Sequence, residues 1–238
     1  ADAREAIAQR HLAGVRRLGE LQQEGELVEE RQRGARLARG ERREVSILPD
    51  GLQGECCRAN AIENFDAAAL RLEAGGAEIL FYTAHSVKEE AGPLFEYEFE
   101  KATLRYRHAP GATIQAFFHD GQVKDYGNPY TGEMDKLWQA VEAVRGEGAA
   151  LACGIEGATP EVVCVHALRQ SAQVQQVPPH VLRRDRLENG DSLNWVEGLG
   201  ETFSEAYRRN LLPAELGRLP WLKSGSRVGL RAIYRPGG

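Results

Sequence analysis

A tyrosine, a histidine and a serine stand close together in the run LFYTAHS, and their side chains could handle a hydroxyl group. Tyr82, His85 and Ser86 donate and accept hydrogen bonds, and the histidine also takes up a proton near neutral pH. Strand ends are places where a sheet presents side chains to a cleft. These residues are candidates to bind or protonate a hydroxylated ligand. The commoner alternative is a strand-end histidine bonded to a neighbouring loop.

Two polar loops offer further candidates. RANAIENFD contains Asn64 among polar groups that either line a sugar site or satisfy backbone donors before the next strand, and turn chemistry is the commoner outcome. DYGNPYTG carries Tyr126, which could contact a ligand, although this stretch also suits a proline-containing turn before a helix. Asn64 and Tyr126 therefore join the candidate ligand-binding residues.

The sequence predicts neither a metal site nor a nucleotide site. No two histidines have His-Glu-x-x-His spacing, and the four cysteines form no Cys-x-x-Cys pair. We expect the cysteines to be buried thiols, because the strand neighbours Cys56 and Cys57 point to opposite faces. The nearest glycine-rich loop, GLGETF, places Phe203 where a dinucleotide loop needs a small residue, so it is interpreted as a chance match.

Charge and apolar patterning exclude several partners. The 238 residues carry a net charge of -5, which gives no broad basic field to attract nucleic acid or anionic lipid. No apolar run approaches the roughly 18 residues of a membrane span, and the first residues lack the apolar centre of a signal peptide. We expect no nucleic-acid or membrane partner, and a cytoplasmic location.

Two segments must position the candidate residues. Residues 1–44 are rich in charge and predict a solvated helix or a mobile, partly disordered segment, with helical spacing in AREAIAQRHLAGV and a possible short strand in VRRLGEL. Residues 45–238 form the main domain. Its first part, to about residue 126, predicts an antiparallel meander of strands and tight turns: LQGECCRA, FDAAALRLE, AEILFYTAHS, LFEYEFE, ATLRYRH, TIQAFFH and QVKDYG.

The last third predicts helices. Thr131 can cap one helix that ends near Gly146, and Thr159 followed by Pro160 can begin a second. A third helix covers ETFSEAYRRN, and RVGLRAIY is a closing strand. The expected architecture is α+β: an open, mainly antiparallel sheet with helices on one face. Apolar residues on both parities of FDAAALRLE and AEILFYTA predict cover on the other face by the sheet of a second subunit.

Three stretches carry a resemblance to a known family: RANAIENFDAAALRLEAGGAEILFYTAHS, YTGEMDKLWQAVEAVRGE and GIEGATPEVVCVHALRQSAQ. In this order, over about residues 52–177, they resemble the C-terminal domain of the Gfo/Idh/MocA oxidoreductases. The resemblance implies NAD(P)-dependent chemistry on hydroxyl groups of sugars, polyols or cyclitols, with this sheet domain holding substrate and building a homo-oligomer.

The chain also departs from that family. It has no G-x-G-x-x-G after an early strand, no Glu-Lys-Pro, and no acidic residue and histidine one helical turn apart in QQEGELVEERQRGARLARG. No catalytic or cofactor-binding residue can be carried over, and the cofactor half would lie before Ala1. We therefore expect a substrate-binding and oligomerisation portion that is inactive alone. The alternatives are a stand-alone module that binds a ligand or acts as a scaffold and, least expected, an enzyme completed by a separate nucleotide-binding subunit.

Overall fold

The structure, a computed structural model, describes the backbone of residues 11–17, followed by residues 48–130, 134–146 and 154–230. Four expectations lie wholly or partly outside these residues: the remainder of the charged N-terminal segment, the helix cap at Thr131, the burial of Cys153 and residues 231–234 of the closing strand.

The described residues form one large, mainly antiparallel sheet and a separate two-stranded ribbon. The strands of the sheet are β1 (His11–Arg17), β2 (Gly51–Arg58), β3 (Ala67–Ala74), β4 (Ala77–Ala84), β5 (Leu94–Glu98), β6 (Ala102–Arg107), β7 (Gln115–Phe118), β8 (Val123–Asp125), β9 (Gln175–Gln176) and β12 (Val228–Gly229), and those of the ribbon are β10 (Leu182–Arg186) and β11 (Ser192–Val196). The sheet has the order β12-β2-β3-β4-β1-β5-β6-β7-β8, and β9 pairs with β2 in parallel. The expected α+β class and mainly antiparallel sheet are confirmed.

Strand β1 interrupts the meander. It lies between β4 and β5, antiparallel to the first and parallel to the second. The helical spacing in AREAIAQRHLAGV is therefore misleading from His11 onward, because pairing with two strands outweighs a weak local preference for helix. The turn between β3 and β4 is as expected. Gly75 and Gly76 have φ angles of 55° and 77°, a left-handed conformation that glycine adopts without strain.

The described part contains three α-helices: α1 (Asp135–Arg145), α2 (Ile155–Ser171) and α3 (Leu199–Arg209). Helix α2 begins earlier than expected, so Thr159 is not its cap. The Thr159 hydroxyl instead donates to the Ile155 carbonyl at 2.9 Å, inside the helix. Helix α1 ends as predicted, at Gly146 in a left-handed conformation.

Helix α2 covers one face of β2 and β3. Its residues Ala167 and Leu168 are buried against Leu52 and Leu70, with Leu230 closing the same cluster. The contact is close: a Cβ atom added at Gly54 would lie 2.4 Å from Leu168 Cδ1. Glycine at this position lets the helix approach the sheet backbone.

Helix α3 covers the opposite face, so the expectation of helices on one face is wrong. Leu199, Phe203 and Ala206 pack with Leu80 and Tyr82 in a second buried cluster. Leu80 and Tyr82 have the opposite strand parity from the residues that face α2, which explains the apolar residues on both parities. The second layer therefore comes from the same chain, and those residues give no evidence for the sheet of another subunit.

We call β2, β3 and β4 the covered half of the sheet and β5 to β8 the outer half. The described helices pack mainly over the covered half. In the outer half, Phe95 pairs with Tyr106 and Tyr97 pairs with Leu104 across antiparallel strands. Large apolar side chains near its turns stay exposed, including Phe99 and Val123. The two halves thus differ in the extent to which described helices pack over them.

Candidate functional site

Tyr82, one of the candidate ligand-binding residues, is an interior residue. Its side chain has 0% exposed surface, and its hydroxyl donates to the Leu211 carbonyl oxygen at 2.8 Å. Burial raises the pKa of this phenol above its ordinary value. The side chain therefore holds the segment after α3 onto β4, and no ligand can reach it.

Ser86 and the RANAIENFD loop are joined through one buried carboxylate. Asp66 accepts hydrogen bonds from the backbone N–H of Ala59 at 3.1 Å and of Asn60 at 3.0 Å, and from the Ser86 hydroxyl at 3.1 Å. Ser86 itself is fully buried. This is the turn chemistry that the sequence offered as the alternative to a sugar site.

The other three candidates are exposed but are not gathered in one place. The backbone N–H of His85 donates to the Asp66 carbonyl at 2.8 Å, which ties its strand end to the neighbouring loop. Asn64 lies on the surface of that loop. Tyr126 follows β8, five strands from β4 in the sheet order, or roughly 24 Å at about 4.8 Å per strand. The five candidates therefore do not form one site.

The structure places a different cleft beside the end of β4. Residues 87–92 form one wall, and α3 and the end of β11 form the other. The cavity measures about 410 Å³, within the range of about 300–1,000 Å³ that is typical of small-molecule sites. Its chemistry comes from Lys88, Glu89, Trp195, Glu201, Arg208 and Arg218.

The charged groups of this cleft differ in how they are engaged. Lys88 Nζ lies 5.1 Å from the centre of the Trp195 ring and 3.7 Å from Asp185 Oδ2. Arg208 pairs with Glu205 one turn back on α3. Glu201 and Arg218 are exposed and form no ion pair with any residue in the described part of the chain. The cleft thus presents a carboxylate and a guanidinium that remain available to a ligand.

Trp195 gives the cleft an aromatic surface with an unused donor. Its indole Nε1 is buried and has no hydrogen-bond acceptor among the described residues. A buried donor without an acceptor is uncommon and costs free energy. An acceptor oxygen that reached this nitrogen would recover that free energy.

A second cavity of about 330 Å³ lies next to the cleft. It is lined by His180, Thr202 and Trp221 and shares Glu201 and Arg218 with the first cavity. Trp221 is partly buried against the α3 cluster. Both cavities are therefore lined by the N-terminal part of α3.

The GLGETF loop at this point does not fit a dinucleotide. Gly198, with a φ angle of 77°, precedes α3, and the Thr202 hydroxyl donates to the Gly198 carbonyl at 2.6 Å. Glu201 lies in the first turn, where a phosphate would meet a negative charge. The preceding strand, β11, pairs antiparallel with β10, and the described chain after α3 forms no strand parallel to β11. The strand–helix–strand unit with parallel strands, which binds the pyrophosphate of a dinucleotide, is therefore not formed here.

The outer half of the sheet carries a row of aromatic rings. Phe95 and Tyr97 stack with centroids 4.6 Å apart, and Phe95 lies 5.6 Å from Tyr106. Tyr130, which is 60% exposed, extends the row to 6.5 Å beyond Tyr106. We call these four residues the aromatic face.

Thiols and metal ligands add no reactive centre in the described residues. Cys56, Cys57 and Cys164 are buried and free, as expected. Burial raises the pKa of Cys56 and that of Cys164 to about 11 each, so both stay protonated at neutral pH. No group of three or more histidine, cysteine or acidic side chains in the described ranges could hold a metal ion. None of the helices described here is both long and apolar enough to cross a membrane.

Comparison with solved structures gives a distant similarity. The chain matches no family profile and no curated protein. It is similar to a crystal structure of "a putative oxidoreductase from Klebsiella pneumoniae", with 14% identity and a TM-score of 0.40. The match covers 86% of this chain and 60% of that chain.

Sequence reasoning missed Lys88, Trp195, Glu201 and Arg218. They come from four separate segments, and only the packing of β11 and α3 beside the end of β4 brings them together. The local signal was weak: KEEAGP follows a strand, and Trp195 stands in LNWVEGLG. Neither stretch has a spacing that defines a site.

Proposed function

We propose that this chain is the substrate-binding and oligomerisation portion of an NAD(P)-dependent oxidoreductase that acts on a hydroxyl group of a sugar, polyol or cyclitol. The sequence resemblance of residues 52–177 supports the reaction class. The cleft beside α3 supports the class of ligand. By itself the chain is inactive, because GLGETF does not fit the cofactor and no catalytic residue of the family is carried over.

The composition of the cleft is the observation that carries this proposal. A polyhydroxylated ligand offers many hydroxyl groups and apolar C–H faces. The Glu201 carboxylate accepts hydrogen bonds from such hydroxyls, the Arg218 guanidinium donates to their oxygens, and the Trp195 ring packs on the C–H face. Opposite charges on one wall suit a neutral polar ligand better than an anion or a cation.

The chain's own residues then bind and orient the ligand. Lys88 and Arg218 donate to ligand oxygens, and Glu201 accepts from a ligand hydroxyl. The rigid backing comes from Phe203 and Val196, which line the cleft and are buried in the core cluster. No step of hydride transfer is assigned to any residue of this chain.

Self-association through the outer half completes the proposal. Within the aromatic face Tyr106 is buried, Phe95 and Tyr97 are half-buried, and Tyr130 is 60% exposed. Exposed aromatic surface is costly in water, and a second copy of the same face can bury what remains exposed of Phe95, Tyr97 and Tyr130. A two-fold dimer would pair this face with itself.

A second candidate is a stand-alone ligand-binding module that never joins a catalytic half. One observation favours it: the cleft and the aromatic face are both built from described residues, with no dinucleotide unit beside them. The two candidates share the ligand site and differ in their relation to the cofactor and its domain.

The test combines three measurements on the purified chain: a nucleotide titration, the oligomeric state and a titration with polyhydroxylated ligands. NADH and NADPH are titrated with nucleotide fluorescence as the signal, and light scattering after size exclusion gives the oligomeric state. Glucose, sorbitol and myo-inositol are then titrated with tryptophan fluorescence. Lys88→Met is compared with Lys124→Met, because Lys124 also lies over an aromatic ring, 4.6 Å from the centre of Tyr126, but far from the cleft.

We expect no nucleotide binding, a defined oligomer, and binding of at least one of the three ligands that Lys88→Met weakens and Lys124→Met leaves unchanged. Nucleotide binding at micromolar strength would contradict the assignment. If all three ligands fail to bind, the cleft is not a site for this class. A purified Rossmann-domain protein that restores hydride transfer to the mixture would separate the oxidoreductase portion from the stand-alone module.

A further inference from the structure

We infer that the site does not end at the first cleft but continues past Glu201 and Arg218 into the neighbouring cavity, so that it takes a two-ring saccharide. This inference rests on the proposed function and narrows its ligand class. The starting observation is that the two cavities, about 410 Å³ and about 330 Å³, share these two side chains in their walls.

Each cavity has the size for one ring. Alone, each lies near the lower end of the range for small-molecule sites, and joined they remain within it. A single pyranose ring would leave the other cavity filled only with water. A ligand of two linked rings can place one ring in each cavity.

Each cavity also has its own aromatic platform. Trp195 lines the first and Trp221 lines the second. Both rings are held by their surroundings, Trp195 by β11 and Trp221 by packing on the α3 cluster. Proteins commonly hold one saccharide unit by packing an aromatic ring on a C–H face of the sugar. Here each cavity has one such ring, on either side of the wall that Glu201 and Arg218 share.

The shared wall itself carries the matching polar groups. Glu201 and Arg218 make no ion pair with a described residue, although they have opposite charges and line the same two cavities. A carboxylate accepts from hydroxyls and a guanidinium donates to oxygens, so the pair can serve the hydroxyls that flank a glycosidic link. His180 lines the second cavity only and adds an imidazole that can hydrogen-bond to a ligand there.

The experiment compares glucose with maltose, cellobiose and trehalose, three disaccharides that differ in linkage. We expect at least one disaccharide to bind at least tenfold more tightly than glucose. Trp221→Ala should reduce that disaccharide's affinity about tenfold, to the level of glucose, and leave glucose affinity unchanged. Trp138→Ala is the matched control, since Trp138 lies exposed on α1.

A second measurement removes the dependence on a stable Trp221→Ala protein. The chain has three tryptophans, and the difference between the emission of the wild type and that of Trp221→Phe isolates Trp221 while Trp195 stays in the first cleft. The Trp221 emission should shift with the preferred disaccharide and not with glucose. No Trp221 shift with any disaccharide, or equal affinities for glucose and all three disaccharides, would overturn the two-ring site while leaving the proposed function intact. Absence of binding by all four sugars would overturn the two-ring site as well and would count against the first cleft.

Discussion

The covered half and the outer half of the sheet use similar strands for different purposes. In the covered half, α2 and α3 enclose both faces, and Leu52, Leu80 and Tyr82 have 1% or less of their surface exposed. In the outer half, Phe99 and Val123 are 60% and 58% exposed, and Phe95 and Tyr97 are only half-buried. The alternation of apolar residues along a strand therefore does not decide whether they are buried. Their burial depends on whether a helix packs over that face of the sheet.

The difference in burial also implies that the covered half stabilises the fold, whereas the outer half offers a surface for association. Buried apolar area stabilises the fold by roughly 25 cal/mol per Å², and most of the fully buried side chains among the described residues lie in the two clusters of the covered half. The outer half contributes pairing and an exposed surface. Changes in the covered half should therefore alter unfolding, whereas changes in the aromatic face should alter assembly.

The largest expected effect is on the interior of the covered half. Leu168→Ala removes a side chain that is 1% exposed and packs between α2 and β2, so the free energy of unfolding should fall by about 2–5 kcal/mol. Leu137→Ala on α1 makes the same change where the side chain is 52% exposed, and should cost less than about 1 kcal/mol. Urea unfolding measures both. If both variants lost the same free energy of unfolding, burial under a helix would not explain the stability of the covered half.

The next effect concerns the aromatic face. Tyr97→Glu places a charge beside Phe95, so the dissociation constant of the expected oligomer should rise at least tenfold, about 1.4 kcal/mol. Val123→Glu adds the same charge at an exposed position of β8 on the opposite face of the sheet. Light scattering over a dilution series gives the masses. An oligomer that survives Tyr97→Glu, or that also dissociates with Val123→Glu, would show that the aromatic face is not the interface.

A smaller effect should follow from a single hydrogen bond. Tyr82→Phe leaves the half-buried Leu211 carbonyl without its 2.8 Å donor, and the free energy of unfolding should fall by about 1 kcal/mol. Tyr126→Phe removes the same atom from a residue of the outer half that is 55% exposed, and should have almost no effect. Thermal unfolding compares them. A loss at Tyr126 as large as that at Tyr82 would contradict the interior role given to Tyr82.

The strand pattern could be predicted because it is local. Period-two alternation and glycine turns placed β2 to β8 close to their observed bounds. The position of β1 between β4 and β5 could not be predicted, since it depends on contacts distant in sequence. The same limit hid the second helical layer, because apolar residues on both strand parities show that cover exists but not which chain supplies it.

The candidate site was harder to predict for a related reason. Polar residues next to strands were good candidates by type. However, the Ser86 hydroxyl donates its hydrogen bond to the Asp66 carboxylate, and the Tyr82 hydroxyl donates to the Leu211 carbonyl. The cleft residues Trp195 and Arg218 are far from Lys88 in sequence, and no spacing rule connects them. A site of this kind is defined by packing, and so it becomes visible only in the folded chain.

The smallest expected effects compare two ion pairs. In the covered half, Arg71 donates to both carboxylate oxygens of Glu215, at 2.7 Å and 2.8 Å, and this holds the pKa of Glu215 below its ordinary value. In the outer half, Arg105 Nε lies 2.7 Å from Glu96 Oε2, with both side chains about half exposed. Exposed pairs contribute about 0–1 kcal/mol, so Arg105→Met should change stability by less than about 0.5 kcal/mol and Arg71→Met by somewhat more.

The pH dependence distinguishes these two pairs. A carboxylate whose folded pKa is lowered contributes stability that is present above its unfolded pKa and is lost as pH falls through the folded pKa. The stability difference between the wild type and Arg71→Met should therefore be constant near neutral pH and shrink below about pH 4.5, the ordinary pKa of Glu215. Urea unfolding at pH 7, 5 and 3 measures this difference. If it instead stays unchanged to pH 3, Arg71 acts through packing of its alkyl chain and not through the Glu215 charge, and the ion pairs of the two halves would then be equivalent.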